Sequence, residues 1–174
     1  MELLDLMKKR HSIRKYTDER ISSENLEKII QAGMLSPTGK NKRPWEFIVV
    51  SEKNVLEQMS ESRAAGAQML AGADTAIVVM ADVEKTDTWI EDCSISMSNM
   101  HLMADSLGIG SCWIQGRLRE AKNGQSTEVY LRELLHFPDN YRLQAIFSLG
   151  MPDERKAPAE LEKFPVEKIH WEQY

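Results

Sequence analysis

Apolar residues along this chain repeat first with the spacing of a helix and then with that of a sheet. Leu3, Leu6 and Met7 share one face of a short helix predicted over 2–9, which closes on Lys8-Lys9-Arg10, the charge a helix C-terminus favours. Ser22 is placed to cap a second helix with Glu24 in its first turn. Its stripe of Leu26, Ile29, Ile30 and Gly33 follows the i, i+3, i+4, i+7 spacing and ends before Pro37. The strand-like run Trp45 to Val50 and the doubly apolar run Thr75 to Ala81 are expected to form the centre of a sheet, with a polar helical stretch between them. A long helix is predicted from Thr86 to about Leu107, rich in small and sulfur-bearing residues (Cys93, Ser94, Ser96, Met97, Ser98, Met100, Met103, Ala104) and ending at Gly108 as its C′ residue. Such a helix is expected to be buried against several partners, a second subunit among them. A strand Ser111 to Ile114, a helix near Glu128 to Leu135 and a strand Leu143 to Leu149 follow. The tail from Met151, with prolines at 152, 158 and 165, reads as having little structure of its own. Alternating helices and strands predict a layered α/β or α+β domain.

The 174 residues suffice for one domain, 1–174, that buries on the order of 70% of its unfolded surface. A net charge of −5 argues against a general nucleic-acid or membrane-surface binder, so a basic cluster here serves one anion. No apolar run approaches the ~20 residues of a membrane span, and the acidic Met-Glu-Leu-Leu-Asp-Leu start is unlike a secretory signal; a cytoplasmic location is expected. Cys93 and Cys112 are too few for a disulfide framework and are read as buried thiols. His11, His101, His136 and His170 form no metal-spaced pair, so no metal site is expected and each is read as a surface or satisfied core residue.

Chemistry concentrates in Arg10-His11-Ser12-Ile13-Arg14, where two guanidinium forks with a hydroxyl between them suit a phosphate group. Other motifs fail. Gly108-Ile109-Gly110 lacks the third glycine of a dinucleotide fingerprint, has Trp113 in its place, and is preceded by a helix where a strand is needed. Gly39-Lys40 lacks the first glycine and the magnesium-binding hydroxyl of a phosphate-binding loop. Gly110-Ser111-Cys112-Trp113 imitates a cysteine-protease motif, but too little chain follows Cys112 to supply the downstream histidine and asparagine. A phosphate binder without an acid/base constellation often delegates its chemistry to a phosphorylated cofactor.

Three separated segments, in order, make the chain resemble the FMN-dependent nitroreductase family in its short form. Arg10 to Tyr16 is similar to the family's flavin-phosphate motif, Ser36 to Trp45 to its loop beside the flavin of the neighbouring subunit, and Leu107 to Gly116 to the segment that reaches the ring near N5. The resemblance implies an α+β, three-layer α/β/α fold with a mixed, mainly antiparallel sheet. It also implies an intertwined homodimer whose tail, about 151–174, wraps the partner through Trp171 and Tyr174. Arg10, His11, Ser12 and Arg14 would bind the phosphate and ribityl chain, and Pro37, Thr38, Gly39 and Asn41 would serve the partner's flavin. Trp113, Ile114, Gln115 and Gly116 would lie along the ring, and Lys163 would complete the phosphate site, with Arg155 or Lys156 as substitutes. Lys40 and Lys42 are candidates for charge near the ring, and Trp89 is expected in the core. The implied activity is ping-pong hydride transfer through flavin N5 from NADH or NADPH to a nitroaromatic, quinone or related small acceptor. The competing readings are a flavin-binding module without turnover and a cysteine hydrolase through Cys112.

Overall fold

A computed structural model describes residues 2–174. Helices α1 (Leu3–Lys9), α2 (Ser23–Met34), α3 (Lys53–Ser60), α4 (Trp89–Ser106) and α5 (Thr127–Leu135) surround strands β1 (Trp45–Val50), β2 (Thr75–Asp82), β3 (Gly110–Gln115) and β4 (Tyr141–Gly150). The sheet order is β1-β2-β4-β3 with every neighbouring pair antiparallel, and its parallel component is an isolated bridge between Ser12 and Ser111. Among the described residues no helix is long and apolar enough to cross a membrane.

Strand alternation divides the apolar residues between two cores. Ile77, Val79, Ala145, Phe147 and Leu149 face Ile29 of α2 and Cys93, Met97, Met100 and Ala104 of α4. Ala76, Val78, Met80 and Ile146 face Leu56 and Met59 of α3 and Leu131 of α5. The three layers follow from this: a sheet buried on both sides needs helices on both. The expectation that 45–50 and 75–81 together form the centre is corrected here. β2 and β4 are central, whereas β1 is an edge strand buried only at Trp45 and Val50. Exposed Glu46 within β1 is the kind of charge that edges carry.

Side-chain bonding sets several boundaries. The Ser22 hydroxyl caps α2 by accepting from the Asn25 N–H at 3.3 Å. The long helix starts at Trp89, later than Thr86, because Thr86 and Thr88 share a 2.9 Å hydrogen bond and the Thr88 N–H donates to Thr86 Oγ1, forming a turn instead. Gly108 adopts φ 75° as the C′ residue that ends α4. On β4 the pairing shifts between Val79–Ala145 and Met80–Leu143, leaving Gln144 as a bulge.

The tail has no regular element beyond short turns at Leu161–Lys163 and Val166–Lys168, yet its start is zipped to the N-terminal segment. Thr17 N–H donates to the Met151 carbonyl (2.9 Å), Asp153 N–H to Lys15 (2.9 Å) and Ala159 N–H to Lys8 (2.8 Å). Tyr16 locks this zipper: its hydroxyl donates to the Ile13 carbonyl at 2.7 Å, bonds Ser148 Oγ at 2.8 Å, and its ring lies on Gly150, where a Cβ would stand 2.6 Å from Tyr16 Cγ. Gly150→Ala is expected to destabilise the chain by about 1–3 kcal/mol through overpacking. Gly72→Ala, with nothing within 4 Å of the new methyl, is expected to change stability by less than about 1 kcal/mol. Urea midpoints of the two variants test this, and equal midpoints would contradict the role given to Tyr16.

Candidate functional site

The first bond to consider joins the N-terminal segment to β3. Ile13 N–H donates to the Ser111 carbonyl at 2.9 Å, so Ser111 turns its ladder groups toward the outer edge. By the two-residue period of a strand, Trp113 and Gln115 do the same, while Gly110, Cys112 and Ile114 pair inward to β4. The N-terminal segment therefore covers the start of the β3 edge and leaves the rest open. Beside the open part lies a pocket of about 410 Å³ lined by Met7, Arg10, Ser12, Ser98, His101 and Trp113, with Leu102 at its margin.

Arg10 ends α1 and Ser12 lies on the β3 bridge, so both predicted residues reach this pocket. Trp113 lines it and donates its indole N–H to Gln115 Oε1 at 2.9 Å; Gln115 Nε2 in turn donates to the Arg117 carbonyl at 3.1 Å. The Arg117 guanidinium stands 5.9 Å from the centre of the Trp89 ring, which packs against the α4-side core as expected. Gly116 has no room for a side chain, since a Cβ would meet Leu143 Cδ2 at 2.5 Å. The Gln144 bulge fixes this end of the strand. Its carbonyl accepts from Arg117 N–H at 3.0 Å and weakly from Gly116 at 3.4 Å, and its side-chain amide donates to Ser94 Oγ on α4 at 3.0 Å.

Other expected residues are placed differently. Ile114 is 1% exposed within the α3/α5-side core, so strand alternation points its side chain away from the pocket. His11 donates its Nε2–H to the Ala157 carbonyl at 2.7 Å and serves to hold the tail. Arg14 is exposed, and its backbone N–H donates to Glu154 Oε1 at 2.6 Å, the bond that most lowers the Glu154 carboxyl below its usual range. Lys163 is ion-paired with Glu160 at 2.8 Å, whereas the Lys156 ammonium donates to the Ser12 carbonyl at 2.8 Å and stands beside the cluster. Of the two expected substitutes, Arg155 and Lys156, Lys156 is the one bonded to Ser12.

Pro37, Thr38, Gly39 and Asn41 do not reach this pocket in the same chain. Gly39 N–H donates to Oδ1 of buried Asp92 at 2.9 Å, and a Cβ on Gly39 would meet Thr88 Oγ1 at 2.5 Å. Thr38 Oγ1 accepts from Arg43 N–H, and Asn41 Oδ1 from Arg43 Nε. This ties the loop to the start of α4, and nine residues of helix separate Asp92 from His101, about 14 Å along the axis.

His101 is the residue that sequence reasoning missed. It is buried and bonded, as predicted for a core histidine, but it also lines the pocket. Its Nδ1 shares a 2.9 Å hydrogen bond with Ser111 Oγ, and its ring meets Phe147 edge-on at 4.4 Å between centres. Burial, then the Arg10 charge, pushes its pKa down to about 4. The only sequence signal was a histidine set in the apolar stripe of α4. Cys112, by contrast, is 1% exposed and burial pushes its thiol up, the wrong direction for a nucleophile.

The profile of the nitroreductase family matches residues 7–151. The chain belongs to the nitroreductase family. A protein of Archaeoglobus fulgidus provisionally named NADH dehydrogenase/NAD(P)H nitroreductase is 41% identical, over 99% of each chain. Among solved structures, an FMN-dependent nitroreductase from Clostridium difficile R20291 has 42% identity and a TM-score of 0.94, covering 98% of this chain and 99% of that one. A provisionally named relative from Bacteroides thetaiotaomicron has 32% identity and a TM-score of 0.91, covering 99% and 98%. The family is one of oxidoreductases, and the nitroreductase fold accounts for the helices on both faces and the antiparallel sheet.

The shifted histidine has a measurable consequence. Above about pH 6.5 the His101 imidazole is neutral folded and unfolded, and stability has no slope from it. As the pH falls from about 6.5 to about 4 the unfolded chain takes up a proton that the folded chain refuses, so stability is lost, by on the order of 3 kcal/mol. His101→Gln is expected to flatten this stretch of the profile, read by urea unfolding of the apoprotein. Parallel profiles for both proteins would count against it.

Proposed function

We propose that the pocket beside β3 holds FMN and that the protein is an NAD(P)H-dependent oxidoreductase acting on an electron-poor small molecule, a quinone or nitroaromatic. One observation carries the reading: Arg10 and Ser12 meet at one end of an open strand edge whose run from Ser111 to Gly116 spans about 16 Å, while the Ser111 hydroxyl bonded to His101 is only 2% exposed and so is not presented as a nucleophile. An elongated phosphate-bearing cofactor fits that geometry. The Arg10 fork grips the phosphate with Ser12 beside it, and Lys156 adds positive charge. His101 stays neutral, so it offers a ring nitrogen without a second charge to desolvate. The outward N–H of Gln115 lies where a ring nitrogen would be met, and the Trp113–Gln115–Arg117 chain of hydrogen bonds holds that edge still. FMN held by these residues would supply the two-electron redox chemistry between the nicotinamide donor and the acceptor.

The functional unit proposed is a homodimer of single-domain chains. Leu3, Leu4 and Met7 on α1, Ile95 on α4, and Phe164, Ile169, Trp171 and Tyr174 in the tail leave much apolar surface exposed on one chain. The tail would wrap the partner, and the Pro37 to Asn41 loop, which lies outside the pocket of its own chain, would complete the partner's site.

The purified protein is expected to be yellow and to oxidise NADH or NADPH with a quinone acceptor. A colourless protein indifferent to added FMN would overturn the reading, and bound flavin that neither nucleotide reduces would favour the binding module. Arg10→Ala with Arg14→Ala is expected to weaken FMN binding by at least about tenfold, as lost charge-assisted contacts should, while riboflavin, lacking the phosphate, is affected less. Fluorescence titration of the apoprotein measures both.

A further inference from the structure

A second cationic site lies just beyond Gly116. The loop after α3 and the loop after β3 run side by side and are stitched together. Ala64 N–H donates to the Glu120 carbonyl (2.8 Å), Lys122 N–H to Glu61 (3.0 Å) and the Thr127 hydroxyl to Ser62 (2.7 Å). This stitching sets half-buried Arg63 and exposed Arg119 on the walls of one open hollow of about 330 Å³, outside the pocket described above. The two charges feel each other: partial burial, then the Arg119 charge, lowers the Arg63 pKa.

Among the described residues neither arginine has a carboxylate within ion-pair distance. The arginines that do are Arg20, Arg132 and Arg142. Glu120 also lines the hollow without pairing to either. Acidic residues outnumber basic ones in this chain, 27 to 22, so two guanidinium groups sharing a hollow with one unpaired carboxylate, Glu120, are a local excess of positive charge. Their mutual repulsion is outweighed when an anion sits between them and is attracted to both. The backbone that fixes them is also the backbone of the site. Three residues of chain, at most about 11 Å, separate Arg119 from Gly116, with Leu118 at φ 56° making the reversal.

We propose that Arg63 and Arg119 form the subsite that grips the phosphate groups of the nicotinamide donor. The inference rests on the donor assigned above. A nicotinamide ring at the Gly116 end of β3 carries its diphosphate one ribose further out, over the loop that follows the strand. Planar forks on both sides of that path match phosphate oxygens better than point charges do.

ADP titrated calorimetrically into the FMN-loaded protein tests the site directly. Arg63→Gln with Arg119→Gln is expected to weaken ADP binding at least about tenfold, and to raise the KM for NADH by a similar factor, so that the fall in kcat/KM is carried by KM. Arg63→Lys with Arg119→Lys, which keeps charge but loses the forks, is expected to recover only part of both. Equal effects on NADH and NADPH assign the shared diphosphate; an effect confined to NADPH assigns its 2′-phosphate. Should the double variant misfold, Arg119→Gln alone, at an exposed position, carries the same test. Unchanged KM values for both nucleotides overturn the proposal. A protein that binds no flavin, or oxidises neither nucleotide, overturns the redox reading instead, and ADP binding to that protein then decides on the arginine pair by itself.

Discussion

The pairing of the N-terminal segment with the first residue pair of β3 is the constraint on which the rest of the site depends. An edge strand exposes a row of unmet N–H and C=O groups, and proteins usually cover them. Here the cover is partial. Ile13 meets Ser111, and the chain then turns away to run against the tail through Thr17–Met151 and Lys15–Asp153. The same bond that places Arg10 and Ser12 at one end of β3 therefore leaves Trp113 and Gln115 open at the other. A longer pairing would have sealed the edge and removed the pocket.

That edge is positioned from within by the central strands. Burying β2 and β4 on both faces makes the sheet rigid, and the bulge at Gln144 breaks the alternation of β4 so that Leu143 turns to the α3/α5-side core while Ala145 and Phe147 face α4. Leu143 then packs so close to Gly116 that no side chain fits there, and the Gln144 carbonyl takes the Arg117 N–H. One extra residue in a buried strand thus shapes the far end of an exposed one. Phe147, from the same strand, braces His101 at the other end of the pocket.

Element types were legible in the sequence because two-sided burial writes its period into the residues: the stripes of α2 and α4 and the run 75–82 follow directly from packing. Strand order was not, since β1 differs from β2 mainly by Glu46, and the bulge arises from an offset between strands that no single segment records. The cationic motif at 10–14 was legible as chemistry, but its division of labour was not. The His11 imidazole bonds the Ala157 carbonyl and the Arg14 backbone N–H bonds the Glu154 carboxylate, and each contact pairs a backbone group with a side chain far away in sequence, where residue patterns carry no trace. Ile114 could have been set aside on alternation alone, because Ser111, Trp113 and Gln115 share one orientation and Cys112 and Ile114 the other. His101 was legible as buried; that burial also put it on a pocket wall depends on α4 lying against β3.

The loop after α2 has a conformation that suits the role across subunits proposed for it. Lys40, Asn41 and Arg43 all adopt positive φ, at 51°, 57° and 47°, a region that asparagine tolerates and that costs side chains such as lysine and arginine on the order of 1 kcal/mol each. The loop is not left to relax that strain. Asp92, 3% exposed, spends one carboxylate oxygen on the Gly39 N–H and the other on the Thr88 hydroxyl, and Asn99 of α4 holds Ser36 at 2.7 Å. Covering a core does not account for such anchoring, because from Pro37 to Arg43 no residue is fully buried and only Thr38 and Gly39 are half-buried. Strain held in place by buried polar groups, on a loop anchored to α4 along one side and exposed along the other, is what a preformed surface for another molecule requires. Under the homodimer proposed above, the second subunit would be that molecule.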